Sequence, residues 1–345
     1  MTAAPFTRTS LAAQAAYQDL VALHLDEAVV ELRGKATRRT RNGRGYWYDR
    51  YRVGTEVKER YIGEDVPEIA ERLASIDAVR ARAAGRRQRA AALVRVLRAE
   101  RYLPLDTNTG SLLSAMATAG VFRLGGVVVG TQAFRLYAAE LGVAIPVGGS
   151  AMTQDIDIAS FERLSIALGD VVERPIAEIL SDFAFDDVPG LDPRAPAWRW
   201  RQTAGELLVE FLTPSFREDE DVRPLPALGV HAQSLHHLDF LLSAPIPAVG
   251  LYRHGVLVRI PRPERFAVHK LIVADRRRAR GDALRAHKDR EQARFLVGVL
   301  ASDRPDDLAE AYETARTRGP RWSARLDATL TLMPDVRDVL EEVSR

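Results

Sequence analysis

Residues 127–158, VVVGTQAFRLYAAELGVAIPVGGSAMTQDIDI, constrain the fold more than any other stretch of the chain. Three consecutive β-branched residues, Val127–Val129, predict a buried strand. Gly130-Thr131 follows as a tight turn carrying a hydroxyl. Residues 132–141 read as a helix, apolar at Ala133, Leu136, Tyr137, Ala139 and Leu141. A Gly- and Pro-rich loop then leads to Thr153-Gln154-Asp155-Ile156-Asp157-Ile158. Strand alternation has period two, so Asp155 and Asp157 share one face and Ile156 and Ile158 the other. Two carboxylates side by side repel each other, and a divalent cation between them relieves the repulsion. Mg²⁺ prefers oxygen ligands and sits on one or two carboxylates plus substrate phosphates. Taken alone, such a pair is also an ordinary feature of an exposed strand face.

The chain has 345 residues, 46% hydrophobic and 28% charged, which predicts a soluble globular protein of two domains or one large domain with appendages. No run of about 18 apolar residues predicts a transmembrane helix, so no membrane partner is expected. The N-terminus lacks the long apolar segment of a secretion signal. There are no cysteines, which removes disulfides, thiol catalysis and Cys-ligated zinc and fits the cytoplasm. Net charge is only +2, but it is unevenly distributed.

In chain order, residues 10–32 predict an amphipathic helix capped by Ser10. Residues 33–44 are basic and turn-rich. Residues 45–53 and 57–63 form a β-hairpin about Gly54-Thr55-Glu56. Ten basic and three acidic residues fall between Arg33 and Arg60, interleaved with aromatics. Arg38, Arg39, Arg41, Arg44, Trp47, Arg50 and Arg52 therefore make a candidate nucleic-acid surface, by phosphate contact and base stacking. The competing reading packs the aromatics onto the preceding helix and leaves the arginines solvated. Residues 66–102 are helical and Arg-rich, with Gly85 a potential break. Asn108 or Thr109 would cap a helix over 110–119.

Beyond the paired acids, helices are expected over 160–168 and 174–183, a loop over 185–196, and strands over 198–202 and 206–212. Glu210 lies in the apolar run Leu-Val-Glu-Phe-Leu-Thr-Pro, where a carboxylate needs a partner, either a metal or an arginine. A long loop from residue 215, strands over 235–242 and 256–260, and helices over 264–277, from 287, and over 301–345 complete the chain. His231, His236 and His237 lack the companions of a zinc site. The implied division is 1–104, 105–260 and 261–345.

Strand, Gly-Thr turn, helix and an Asp-Ile-Asp-Ile strand together resemble the nucleotidyltransferase superfamily of DNA polymerase β-like fold. The wording GTQAFRLYAAELGV…TQDIDIASFERLSIAL is most similar to a bacterial family known only as nucleotidyltransferase-fold proteins. The resemblance implies an α+β protein. A short mixed sheet with helices would form the core, with an N-terminal helix–β-hairpin region and a C-terminal helical region. It implies a third carboxylate on a strand antiparallel to the Asp-x-Asp strand, with Glu210 the best match and Glu206 in reserve. Asp155, Asp157 and Glu210 would be both the catalytic acids and the ligands of one or two Mg²⁺ ions. Gly130 and Thr131 would hold triphosphate oxygens. By likeness to toxin- and antitoxin-type relatives, Lys270 would bind triphosphate and Lys288-Asp289 would buttress the nucleotide pocket. The implied reaction moves a nucleoside monophosphate from an NTP such as ATP to a hydroxyl and releases pyrophosphate. RNA, in particular a tRNA end, is the favoured acceptor, ahead of a protein or small-molecule hydroxyl. A non-catalytic nucleic-acid-binding protein on the same scaffold, and a toxin with an antitoxin partner, remain open alternatives.

Overall fold

The computed structural model describes residues 6–25, 34–41, 43–53, 56–145, 155–162, 171–189, 195–216 and 221–345. A two-residue strand, β1 (Thr7–Arg8), precedes helix α1 (Leu11–Leu25). Ser10 caps α1 as expected, its Oγ accepting the Ala13 N–H at 3.1 Å. The rest of the helix predicted to residue 32 lies outside the described residues. The basic segment read as turns is instead a strand, β2 (Lys35–Arg41). It joins the predicted hairpin, β3 (Arg44–Val53) and β4 (Glu56–Glu64), in a three-stranded antiparallel sheet of order β2-β3-β4.

Helix α2 (Pro67–Ala99) is one unbroken element of 33 residues. A lone glycine costs a helix interior only about 1 kcal/mol, and the Ala and Arg around Gly85 are strong helix formers, so the predicted break does not occur. At 1.5 Å per residue α2 spans about 50 Å. Near its start, Leu73 and Ile69 pack against Ala36, Trp47 and Ile62 of the small sheet. Near its end, Ala90, Val94 and Leu97 pack with Tyr17 and Leu20 of α1, and with Ala139, Val249 and Leu251 of the main body.

Helix α3 (Thr107–Thr118) is capped by Asp106, which accepts the Thr109 N–H at 2.9 Å; neither expected cap is used. Then follow β5 (Val127–Val129), α4 (Gly130–Leu141), β6 (Val143–Ala144), β7 (Asp155–Ala159), α5 (Ile176–Asp182), β8 (Phe185–Asp187), β9 (Arg199–Gln202), β10 (Leu208–Ser215), β11 (Val222–Leu225) and β12 (Val230–His236). The helix expected over 160–168 falls largely outside the described residues. β8 and β11 lie where loops were expected. The strand predicted through residue 242 ends at His236, because His237 takes a left-handed φ of +74° and opens the short helix α6 (Leu238–Leu241). A further pair, β13 (Ile246–Gly250) and β14 (Val256–Ile260), is antiparallel.

The main sheet runs β11-β12-β10-β7-β5. β9 pairs with the first half of β10 and β12 with the second half. β10 is parallel to β7, not antiparallel as the resemblance implied. The intervening chain reverses twice, β8 to β9 and β9 to β10, and so brings β10 back in the direction of β7.

Five helices close the chain: α7 (Pro263–Ala279), α8 (Ala283–Asp303), α9 (Pro305–Thr317), α10 (Pro320–Leu330) and α11 (Pro334–Val343). Four of the five begin on a proline, whose missing N–H and fixed φ suit the first turn. α8 begins four residues before the expected start, capped by Asp282, which accepts the Arg285 N–H at 3.1 Å. One cluster of buried apolar side chains runs from Leu105 to Leu340, so these helices share their core with the sheet. Phe134 of α4, for example, stacks on Phe266 and meets Phe295 edge-on. Among the described residues no helix is long and apolar enough to cross a membrane.

Tyr17 is fully buried and its hydroxyl accepts the Val249 N–H at 3.1 Å, tying α1 to β13. Tyr17→Phe strands that N–H away from water. Urea denaturation should show a loss of about 1–2 kcal/mol; an unchanged midpoint would mean that the amide finds another partner.

Candidate active site

β5 ends at Val129 and α4 begins at the next residue, Gly130, with no linker between them. Gly130 makes this possible: its φ is +64°, and a Cβ there would collide with Oδ2 of Asp157. Glycine alone combines that conformation with so close an approach of the Asp157 carboxylate. No side chain caps α4, so its first N–H groups and the partial positive charge of its terminus face this carboxylate's surroundings. Thr131 is buried in the same turn.

Strand register builds the rest. Val129 lies opposite Asp157, Asp157 opposite Glu210, and Glu210 opposite Arg199, a row across β5, β7, β10 and β9. The adjoining row is Asp155, Leu208 and Arg201. Directly opposed side chains share a face, with Cβ atoms about 4.5–5.5 Å apart. The other face carries Ile156, Ile158, Val209 and Phe211, all buried in the core. The three predicted acids therefore meet on one face. Glu206, the reserve, is exposed and precedes β10, so Glu210 is the third member.

The carboxylates perturb one another. Asp157 is packed by protein on most sides while keeping part of its surface open. Burial, then the charges of Glu210 and Asp155, push its pKa up to about 7, and Lys270 opposes the rise. Glu210 is also raised, by burial first and by Asp155, against Arg199 and Arg285. The side-chain contact between Asp157 and Glu210 raises the first further and holds the second down. Among the described residues no three His, Asp or Glu side chains stand in metal-ligand geometry. The case for a cation rests on the chemistry: oxygen donors only, and more negative charge than the site keeps ionised by itself.

Cations approach from the C-terminal helices. Lys270 of α7 is buried, with Nζ 2.7 Å from Oδ1 of Asp289 and over the Phe266 ring at 5.1 Å. Asp289, fully buried on α8, also accepts from Arg277 at 2.6 Å. Lys288 has its pKa lowered by burial and then by Lys270, with Asp289 and Asp155 opposing. The charges of both lysines are thus felt at the acids, and Asp289 holds Lys270 in place. Two further cations escaped the sequence reading, Arg199 and Arg285. A hint lay in Trp198-Arg199-Trp200-Arg201, whose alternation puts both arginines on one face.

The small N-terminal sheet is less open than its composition suggests. Trp47 donates its indole N–H to Asp65 at 2.7 Å and packs with Leu73 and Ile69 of α2. Arg38 bonds Asp65 at 2.6 Å. Trp47 first, then Arg38, hold the Asp65 pKa below the usual range. Arg39 bonds Glu59, and Arg50 lies 3.8 Å from the same carboxylate. Arg44 is exposed. Arg41 and Arg52 sit at strand positions opposite Arg44 and Val57.

Three carboxylates thus share one sheet face beside a glycine-led helix terminus, with the buried Lys270 and the half-buried Lys288 on the helices that close the chain. The sequence profile of the nucleotidyltransferase family matches residues 107–317, which include the whole site, and the chain belongs to that family. A domain of unknown function matches residues 12–71. Among solved structures, an antigenic nucleotidyltransferase-like protein from Paracoccidioides brasiliensis is 15% identical. That match covers 69% of this chain and 95% of that one, with a TM-score of 0.36. No curated protein matches the chain.

Gly130→Ala forces both an unfavourable φ and displacement of Asp157. Displacements of about 1 Å can cost 10²-fold in rate, so nucleotidyl transfer should fall by at least tenfold in a steady-state assay; full activity would show that Asp157 needs no such seat. A second expectation concerns pH. The Asp157 pKa is raised in the folded state, so its stabilising contribution is complete below about 4 and lost as pH climbs through about 7. In EDTA, Asp157→Asn should therefore stabilise the protein at pH 8 by about 2 kcal/mol, half the full linkage value because the group is partly open to water, and hardly at pH 4. Equal effects at both pH values in urea denaturation would refute the shift.

Proposed function

We propose that the protein transfers a nucleoside monophosphate from an NTP to a terminal hydroxyl of RNA and releases pyrophosphate. The carrying observation is the single-faced row of Asp157 and Glu210, with Asp155 alongside and lysines approaching from α7 and α8. Asp155, Asp157 and Glu210 would hold one or two Mg²⁺ ions. When bound, Mg²⁺ neutralises phosphate charge and lowers the pKa of an attacking hydroxyl. Lys270, fixed by Asp289, and Lys288 would meet triphosphate oxygens. So would the first N–H groups of α4 and the Thr131 hydroxyl, at a helix end that favours anions. The acceptor oxygen attacks the α-phosphorus. An O–P bond forms, the bridging P–O bond to the β-phosphate breaks with its electron pair, and the hydroxyl proton leaves to water. Rate comes from positioning and charge neutralisation rather than covalent catalysis by the chain.

RNA as acceptor is supported by charge distribution. Residues 34–101 hold eighteen Lys and Arg against nine Asp and Glu, although the whole chain is only +2. Between Asp77 and Glu100 seven arginines stand along α2 with no acid among them. A basic element of that kind attracts a polyanion.

Incubation with each labelled NTP and total cellular RNA tests both halves. The wild type should label RNA, and Asp155→Ala and Asp157→Ala should label it at least 100-fold more slowly. Equal labelling by all three rejects the enzyme, and label on a protein or small molecule instead of RNA rejects the acceptor.

A further inference from the structure

We infer that Arg199 grips the phosphodiester nearest the reacting hydroxyl of a polynucleotide acceptor, with Trp198 as the flat seat that holds its guanidinium. This rests on the transfer reading and narrows it: the molecule that receives the nucleotide must itself be a nucleic acid strand.

Arg199 stands in the same row as Asp157 and Glu210, directly opposite Glu210 and on its face of the sheet. Its guanidinium lies over the Trp198 ring at 5.2 Å. It is half-buried, and its Nε is buried without a hydrogen-bond partner. Among the described residues it forms no ion pair, not even with the carboxylate opposite. Had the side chain served only to keep Glu210 ionised, its fork would close on Glu210. An arginine whose buried Nε has no hydrogen-bond partner, set over an aromatic ring in the row of Asp157 and Glu210, is suited to an anion from outside. The guanidinium fork matches the two free oxygens of a phosphodiester.

The triphosphate is the wrong anion. Its candidate partners are Lys270, Lys288 and the α4 terminus. Lys270 acts on Asp157, Lys288 on Asp155, and the Gly130 turn abuts Asp157. Arg199 belongs to the other end of the row, on β9, three strand spacings or about 14 Å from β5. Arg285, exposed on the first turn of α8, adds positive charge near Glu210. The Glu210 end is thus prepared for a second phosphate-bearing molecule, which a protein or sugar hydroxyl would not supply.

The test uses two short single-stranded RNA oligonucleotides with free 3′ hydroxyls. They are identical except that one has a neutral methylphosphonate at its last linkage. Fluorescence anisotropy should show the wild type binding the charged oligonucleotide about tenfold more tightly, the scale of one charge-assisted contact. Arg199→Gln should bind both at the weaker level, and Arg199→Lys, which keeps the charge but not the fork, should fall between. NTP affinity by calorimetry with Mg²⁺ and the thermal midpoint should stay as in the wild type. The proposal is overturned if Arg199→Gln keeps the tenfold preference, if it weakens NTP instead, or if the wild type does not distinguish the oligonucleotides. A wild type that binds no NTP would sink the transfer reading, while a preference lost in Arg199→Gln would still establish the phosphodiester contact.

Discussion

The parallel pairing of β7 with β10, with Asp157 opposite Glu210, is the constraint from which the rest follows. Register in a sheet is set by whichever face cannot tolerate water. Here that face holds Ile156, Ile158, Val209 and Phe211, all fully buried. A one-residue slip of β10 against β7 would turn Val209 and Phe211 outward and drive Glu210 into the core. The apolar side therefore chooses the register, and the acidic side inherits it. What it inherits is a local crowding of carboxylates: burial, then the charges of Glu210 and Asp155, push the Asp157 pKa up. The fold tolerates this because four buried side chains hold the strands together beneath it.

The positive groups that answer those acids are placed by a different device. Asp289 is fully buried and takes both Lys270 and Arg277. An ion pair of this kind contributes little net stability once desolvation is counted, but it fixes geometry, because any other arrangement leaves a buried charge alone. Lys270 is thereby prevented from reaching across to Asp157 and cancelling it outright. The lysine stays close enough to lower the proton affinity of Asp157. This works only if α7 and α8 cannot drift from the sheet. Their shared core, from Phe134 on α4 to Phe266 and Phe295, supplies that rigidity.

The parts of the site that could be read from residues are those in which chemistry and periodicity coincide. Three valines, a glycine and an Asp-Ile-Asp-Ile alternation name a strand, a turn and a one-sided acid pair without reference to anything distant. Glu210 stood out because an ionisable group interrupts an apolar run. Strand β2 was missed for the opposite reason: Lys35–Arg41 has no apolar alternation, and it pairs because β3 offers an edge. The direction of β10 was misjudged because parallel or antiparallel pairing depends on how many times the chain reverses through β8 and β9, which no local pattern records. His237 ended its strand through a backbone angle. Arg199 was passed over because its meaning comes from the residue across the ladder, and the ladder is a property of the fold.

The N-terminal region is a second sequence module packed against the body that carries the site. The nucleotidyltransferase match begins at residue 107, and a separate match covers 12–71. Even so, α1 and the end of α2 are buried against Ala139, Val249 and Leu251, so the module is anchored rather than tethered. From that anchor α2 carries the small sheet outward along about 50 Å of helix whose middle is exposed and acid-free. Its arginines repel one another, and in the proposed reaction a polyanionic acceptor would relieve that repulsion. Contacts of that sort give affinity without telling one nucleotide from the next. A single guanidinium at the carboxylates would instead, in that reaction, add one local contact and select which hydroxyl lies against the α-phosphate. In the proposed reaction the arm therefore sets whether an acceptor strand is held, and Arg199 sets where it ends.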